Sequence, residues 1–257
     1  MLLLHVDKLH KAYKKDTKKD LVAIQNISFQ LNRGEFVSIV GPSGCGKTTL
    51  LMCIAGLMEA SGGKVLLNGT VIKSPPKEMV LIFQNYTNSL FPWRTVLGNV
   101  LFALGNRHIP KKEKLKIAEK ALINVGLEEF LSHYPWELSG GMQQRVAIAR
   151  GLAYGSDIIL MDEPFASVDA QTRSELEDLL LDIWTRYSRS ILFVTHDIDE
   201  AIYLSNKVIV LSNRPSAILA SIPVDLKRPR NHLETKAEKK FIEIRNQIYS
   251  LIRSSDG

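Results

Sequence analysis

Cysteine and long apolar runs are scarce in this 257-residue chain. Its two cysteines, Cys45 and Cys53, match neither a disulfide framework nor the spacing of a zinc site, and they fit a reducing compartment. No apolar run approaches the roughly 18 residues that a membrane-spanning helix needs. Polar side chains follow the apolar residues 2–4 at once, so we do not expect a signal peptide.

The composition is that of an ordinary soluble globular protein, with 45% hydrophobic and 23% charged residues. The chain is long enough to bury an α/β core without disulfides. Its net charge of +6 is compatible with nucleic acid or an anionic membrane as a partner. Much of that charge falls within residues 11–19 and 111–116, where a solvated surface is the simpler interpretation.

A glycine-rich turn follows the β-branched run 36–40 and opens into an apolar helix. This is the pattern of a phosphate-binding loop, in which glycines let the backbone N–H groups point at an anion. Lys47 supplies a positive charge for the phosphates, and the Thr48 hydroxyl can bind Mg²⁺. We expect nine consecutive residues to bind the nucleotide, namely Gly41, Pro42, Ser43, Gly44, Cys45, Gly46, Lys47, Thr48 and Thr49.

The two cysteines should differ in reactivity. Cys45 lies in the phosphate loop beside Lys47 and a helix N-terminus, so we expect a reactive thiolate that MgATP protects from alkylation. Cys53 lies deeper in the helix, and we expect it to be buried and slow to react.

A second possible anion-binding turn lies at Ser139, Gly140 and Gly141, before the helical pattern 146–153. Ser139 is a good N-cap, and the glycines expose backbone N–H groups at a helix start. Taken alone, the turn could equally be an ordinary capped helix.

Two carboxylates end the apolar run 158–161. Unpaired carboxylates at the end of a buried strand are costly, which favours a functional interpretation. In phosphate-loop enzymes an aspartate at this place binds Mg²⁺, and we assign that role to Asp162. Glu163 is then placed to orient or deprotonate the attacking water.

The order of these motifs, with Gln84, residues 167–169 and His196, resembles the ATP-binding subunit of an ABC transporter over about residues 3–225. Residues 83–96 and 227–230 are similar to bacterial importers of nitrate, sulfonate, taurine or bicarbonate. The resemblance implies an ATPase that uses ATP and Mg²⁺ and sits on the cytoplasmic face of the inner membrane.

The fold implied by the resemblance is α/β, a P-loop NTPase with a RecA-like core. An antiparallel β subdomain fits the alternating residues 23–31, and an inserted α-helical subdomain fits about residues 88–155. We expect residues 1–230 to form the ATPase domain. Residues 231–257 should carry a single amphipathic helix over 234–253.

Three further site residues rest on the resemblance. It implies that Gln84 reaches the Mg²⁺ or the water and links the nucleotide to the helical subdomain. His196 corresponds to a histidine that senses the γ-phosphate, and Tyr13 to an aromatic that stacks on adenine. The chain has Ser167-Val168-Asp169 where the family usually has Ala-Leu-Asp.

The resemblance also implies partners. Two copies would pack head to tail, so that Ser139 and Gly141 of one face the ATP held by Lys47 of the other. Transmembrane permease subunits would contact Leu90, Phe91 and Trp93, unless these side chains pack into the helical subdomain instead, and a solute-binding protein would act indirectly. We expect no nucleic-acid partner. The alternatives are a soluble ATPase that acts on DNA or ribosomes and the ATPase of an exporter.

Overall fold

The computed structural model describes residues 1–14, 20–84 and 89–255, and these residues form two sheets and the helices around them. Four segments of the sequence analysis therefore lie partly outside the described residues, namely 11–19, 83–96, 88–155 and 231–257. The smaller sheet is antiparallel with the order β2-β1-β4-β5. Its strands are β1 (Leu2–Tyr13), β2 (Leu21–Asn32), β4 (Gly62–Leu67) and β5 (Thr70–Val71).

The larger sheet has six strands in the order β10-β9-β3-β8-β7-β6. All neighbours are parallel except β9 and β10. The strands are β3 (Phe36–Val40), β6 (Met79–Ile82), β7 (Ile158–Asp162), β8 (Ser190–Thr195), β9 (Lys207–Leu211) and β10 (Ile218–Pro223). Every residue of β3, β7 and β8 is buried, as short β-branched runs predict for a sheet covered on both faces.

The parallel direction of these strands determines where the site lies. The carboxyl ends of β3, β7 and β8 meet at one edge of the sheet. The chain leaves these ends at Gly41, Glu163 and His196. Three motifs that are far apart in sequence therefore converge at one edge, which is where ligands bind in open α/β sheets.

Helices lie between and after these strands. They are α1 (Lys47–Ile54), α2 (Val96–Ala103), α3 (Lys111–Ile123), α4 (Gly140–Tyr154), α5 (Ala170–Tyr187), α6 (Ile198–Leu204), α7 (His232–Ala237) and α8 (Lys239–Ser254), with short 3₁₀ turns at Glu128–Phe130 and Pro135–Glu137. Every helix in the described parts of the chain is too short or too polar to traverse a lipid bilayer.

Helices α2, α3 and α4 are inserted between β6 and β7. Helix α3 buries Ala118 and Leu122, whereas Leu115 is 38% exposed. Leu115 lies in the first half of α3, whereas the buried residues of this helix, Ala118, Ala121 and Leu122, come later and share one core with α4.

The prediction of one helix over 234–253 is wrong. Glu238 adopts an extended conformation (φ −61°, ψ 136°) and separates α7 from α8. The predicted apolar stripe nevertheless exists on α8, where Phe241, Ile244 and Ile248 are buried. The break lets α7 and α8 pack separately against α6, since a straight helix could present only one continuous stripe.

Candidate active site

The phosphate loop joins β3 to α1 and depends on glycine at two positions. Gly46, the N-cap of α1, has φ 117°, and a Cβ there would lie 3.2 Å from the Ala23 carbonyl oxygen. Gly44 has φ 75° and is open on its side-chain face. Both conformations suit glycine and leave backbone N–H groups free for an anion at the start of the helix.

Lys47 is folded into this loop and is only 5% exposed. Its Nζ donates to the carbonyl oxygens of Gly41 at 2.9 Å and Pro42 at 3.0 Å. The same Nζ lies 3.5 Å from Glu163 Oε1. A buried ammonium beside a helix start places positive charge where a phosphate would bind.

Glu163 is the meeting point of the predicted catalytic residues. Its Oε2 lies 2.8 Å from His196 Nδ1 and accepts a 3.5 Å hydrogen bond from Gln84 Nε2. The residue has φ 42°, a conformation that a non-glycine residue seldom adopts and that is held here by its N–H bond to the Val194 carbonyl oxygen. The structure therefore brings Lys47, Gln84 and His196 around one carboxylate that keeps access to solvent.

Asp162 lies at the buried end of β7 and is 4% exposed. Burial raises the pKa of this carboxyl, and a hydrogen bond from Thr48 and the charge of Lys47 oppose that rise. Oδ1 of Asp162 has no hydrogen-bond partner among the described residues. A buried, acceptor-only oxygen beside a threonine hydroxyl fits the oxygen ligands that Mg²⁺ prefers.

Tyr13 ends β1 and lies beside the helix that follows the phosphate loop. Its hydroxyl is 3.1 Å from Thr49 Oγ1 and donates to Met58 Sδ at 3.4 Å. The Lys11 ammonium lies 5.4 Å from the ring centroid. The structure thus places Tyr13 near the candidate site, and its contact with adenine stays a prediction.

The second turn lies apart from this cluster. Ser139 Oγ caps α4 by accepting from Met142 N at 3.3 Å. A Cβ on Gly141 would lie 2.4 Å from Thr172 Cγ2, so glycine is required for close packing on α5. Over residues 1–14, 20–84 and 89–255, no hydrogen bond or ion pair joins Ser139, Gly140 or Gly141 to the residues around Glu163.

The expectation of a reactive thiolate at Cys45 is wrong. Cys45 is 2% exposed, and burial raises the pKa of its thiol despite the opposing charges of Lys47 and Arg214. Cys53 is also buried, as predicted, and burial raises its pKa too. Removing a thiolate from water costs more here than the nearby positive charges return.

The aromatic segment expected to meet a membrane partner divides into two parts. Leu90 is 3% exposed and belongs to the core of the helical insertion. Phe91 packs against Phe102 and Trp93 with ring centroids 4.5 and 5.5 Å apart. Trp93 is 70% and Phe102 51% exposed, so the pair forms an aromatic surface with Phe91 at its base.

Two arginines near the site were missed by sequence reasoning. Arg214, in the loop after β9, donates to the Gly44 carbonyl oxygen at 2.6 Å. Arg173, on α5, lines a small cavity together with Glu163 and His196. Neither belongs to a recognisable motif, and charged residues of this kind usually lie on solvated surfaces.

A family model described as ABC transporter matches residues 24–166, which is more than half of the chain. The chain belongs to the ABC transporter family. The matched range includes the phosphate loop, the Ser139 turn and the carboxylates of Asp162 and Glu163.

Curated relatives of this ABC protein cover most of both chains. An ABC transporter ATP-binding protein of Methanocaldococcus jannaschii is 50% identical over 90% of this chain and 84% of its own. An aliphatic sulfonates import ATP-binding protein of Bacillus cereus is 42% identical over 96% and 94%. A nitrate import ATP-binding protein of Synechocystis sp. is 43% identical over 92% and 90%.

Among solved structures, this chain is similar to an ATP-binding cassette that was solved as a dimer in a post-hydrolysis state with bound ADP and phosphate. It is 31% identical, has a TM-score of 0.74, and covers 86% of this chain and 99% of its own. With the family match, this similarity shows that the ABC protein has the P-loop NTPase fold and is an ATP-binding ATPase.

Proposed function

We propose that this ATPase energises an ABC importer of a small oxyanion or sulfonate, of the nitrate, sulfonate or taurine type. The observation that carries the proposal is the arrangement of Lys47, Gln84 and His196 around Glu163 in a chain whose relatives include nitrate and sulfonate import proteins. Solute identity would be determined by the permease and the binding protein, since the described site handles only nucleotide.

The geometry supports direct roles in hydrolysis. Lys47 and the loop N–H groups would hold the phosphates of ATP and neutralise their charge. Glu163, as the carboxylate beside that pocket, would accept the proton of the attacking water. His196 orients Glu163 through the 2.8 Å contact and would report on the γ-phosphate.

Asp162, Thr48 and Gln84 are the residues that would hold Mg²⁺. The unpartnered Oδ1 of Asp162 supports this assignment. A bound Mg²⁺ would neutralise charge on the β- and γ-phosphates.

Residues 1–230 would form the whole ATPase domain, and residues 231–257 a C-terminal segment.

A second copy of the chain would complete the site. Ser139, Gly140 and Gly141 present N–H groups at a helix start but do not contact the cluster around Glu163 in their own chain. We propose that they face the ATP bound by the partner subunit, whereas Tyr13, which lies beside Thr49, stacks on the adenine of the ATP bound by its own chain. The dimeric state of the related cassette supports this arrangement.

The membrane partner would be a permease that covers the exposed aromatic surface formed by Trp93 and Phe102. This contact would place the chain at the cytoplasmic face of the membrane, with the solute-binding protein acting through the permease. Trp93→Ala should weaken assembly by about 2 kcal/mol because exposed aromatic anchors commonly dominate interfaces. Copurification from detergent-solubilised membranes measures this loss.

Leu90→Ala is the matched control for the aromatic surface, because Leu90 is adjacent in sequence but buried. It should lower the melting temperature of the isolated chain and leave assembly of the folded fraction intact. If Trp93→Ala destabilises the isolated chain and spares assembly, the aromatic surface does not bind the permease.

Uptake measurements test the transported solute. Cells that express the chain with its permease and binding protein should accumulate nitrate or a sulfonate such as taurine, and cells with Glu163→Gln should not. Uptake of neither class in the presence of normal ATPase activity would contradict the proposed solute while leaving the ATPase assignment untouched.

A further inference from the structure

Arg173 connects two loops that carry different parts of the active site. It lies in the first turn of α5, about one turn after the N-cap Asp169. Its Nη1 is 3.3 Å from Asp197 Oδ2, and its Nη2 donates to the Val168 carbonyl oxygen at 3.4 Å. Val168 lies in the loop after β7, and Asp197 follows His196 in the loop after β8.

Asp197 occupies a position that determines where His196 lies. Its Oδ1 caps α6 by accepting from Glu200 N at 3.1 Å, and its own N–H donates to Thr195 Oγ1 at 3.0 Å. Asp197 is thus held by one hydrogen bond to the residue before His196 and by another to the first turn of α6. Oδ2 faces Arg173, so the ion pair restrains the loop laterally.

The same guanidinium lies close to the reacting region. Arg173 lines a small cavity that Glu163 and His196 also line. Its side chain is 32% exposed, and Nε is buried without a hydrogen-bond partner among the described residues. The guanidinium of Arg173, which contacts both loops, therefore forms part of the wall of the cavity that Glu163 lines.

We propose that Arg173 is a positioning residue for ATP hydrolysis, which holds the loops after β7 and β8 in one relative position and so keeps His196 against Glu163. The inference rests on the proposed roles of Glu163 and His196. Among the described residues, the hydrogen bonds and ion pair of Arg173 go to Asp197 and Val168 and not to residues that would bind phosphate, so its effect should fall on turnover and not on ATP binding. Displacement of catalytic groups by about 1 Å can cost on the order of 100-fold in rate.

A matched ion pair at the opposite edge of the same sheet provides the control. Arg33 Nη1 lies 3.1 Å from Asp157 Oδ2, with 44% and 36% of the side chains exposed, against 32% and 35% for Arg173 and Asp197. Arg33 also joins two loops, before β3 and before β7. Its removal tests the loss of a comparable pair far from Glu163.

The experiment compares Arg173→Ala, Asp197→Asn, the double variant and Arg33→Ala in the full chain. Asparagine keeps the N-cap of α6 but removes the charge that faces Arg173. Arg173→Ala and Asp197→Asn should each lose roughly tenfold or more in kcat for ATP, with KM within about threefold of the parent. The double variant should lose no more than the worse single variant, because both remove the same contact.

Arg173→Lys should recover most of the turnover, since lysine can pair with Asp197 although it cannot fork to Val168 as well. Arg33→Ala should leave kcat and KM unchanged. Melting temperatures of Arg173→Ala and Arg33→Ala should be alike, which separates a positioning effect from a structural one.

Unchanged kcat in Arg173→Ala would overturn the proposal, as would equal losses of kcat in Arg173→Ala and Arg33→Ala. Additive losses in the double variant would show that Arg173 does not act through Asp197. Glu163→Gln is measured in parallel. If Glu163→Gln loses turnover while Arg173→Ala does not, only the positioning role fails. If Glu163→Gln remains active, the proposed role of Glu163 fails first.

Discussion

The chain has two turns that could bind an anion at the start of a helix, and they differ in what surrounds them. The phosphate loop before α1 lies against the ammonium of Lys47 and the carboxylate of Glu163, and its mouth is at the converging strand ends. The Ser139 turn before α4 has its N-cap bond from Met142 N and close packing on α5, and no side-chain ion pair at residues 139–141 is found in the described part of the chain.

This difference shows that similar local structure does not make equivalent sites. Backbone N–H groups and a helix dipole are present at both turns, but those groups alone bind anions weakly and without specificity. Only the phosphate loop adds a buried cation and a polar cluster that can do chemistry. The Ser139 turn needs groups from elsewhere, which is why we propose a second copy of the chain as its complement.

The largest expected effect is the loss of turnover in Glu163→Gln. The amide has nearly the same shape but cannot accept a proton, so kcat should fall by about 10² to 10⁴. ATP binding should persist, and an ATP-bound dimer should accumulate on gel filtration. Near-normal hydrolysis would show that Glu163 is not the base. The polar cluster beside the phosphate loop would then lack the catalytic role that distinguishes it from the Ser139 turn.

Replacing one residue at each turn tests the comparison directly. Lys47→Ala should abolish ATP binding in the monomer because it removes the buried cation of the phosphate loop. Ser139→Ala should leave ATP binding by the monomer unchanged and reduce turnover by roughly 10- to 100-fold, because a lost charge-stabilising donor commonly costs this much or more.

Nucleotide titration at protein concentrations below and above dimerisation distinguishes the two variants. Circular dichroism controls for fraying of α4, since the lost N-cap costs about 1 kcal/mol. Weaker ATP binding by monomeric Ser139→Ala would mean that the turn serves the site of its own chain.

A smaller effect concerns the pH dependence of the free energy of unfolding. Glu200 and Glu163 line the same small cavity, and Glu177 lies near Glu200. Burial raises the pKa of Glu200 to about 8 and that of Glu177 to about 7. Both pKa values exceed those in the unfolded chain, so the folded state binds more protons. The stability they contribute is full at acid pH and is lost as pH rises towards 8.

The loss should reach at most about 1.4 kcal/mol per pH unit for each carboxyl. Urea unfolding at pH 6, 7 and 8 measures it, and Glu200→Gln should make the dependence shallower because the amide does not titrate. Equal pH dependence in the parent and Glu200→Gln would show that Glu200 ionises normally.

The smallest expected effect is on the alkylation rate of the Cys45 thiol, which reports whether the positive charges near the phosphate loop stabilise a thiolate. Because burial raises the pKa of Cys45, N-ethylmaleimide at pH 7.5 should modify it at least about tenfold more slowly than a free thiol. Cys53 should be similarly slow. Mass spectrometry of the native chain locates the label, and rapid modification of Cys45 would show that the loop stabilises a thiolate.

Sequence reasoning was most successful where one short segment carries its own physical signal. The apolar runs 36–40 and 158–161 predicted the buried strands β3 and β7, and Ser139 was predicted as an N-cap. It failed where distant packing decides the outcome. Glu238 interrupts a helix whose periodicity continues across the break, and Leu90 is core although it lies in an aromatic loop segment.

The sequence by itself determined the phosphate-loop pattern, because its glycines, its lysine and the helix that follows lie within one short segment. Tertiary structure alone decided which residues meet. The parallel order of β3, β7 and β8 brings Lys47, Glu163 and His196 together although Lys47 is over a hundred residues from the other two. It also buries Cys45, since desolvation depends on all surrounding atoms and a local motif contains only a few of them.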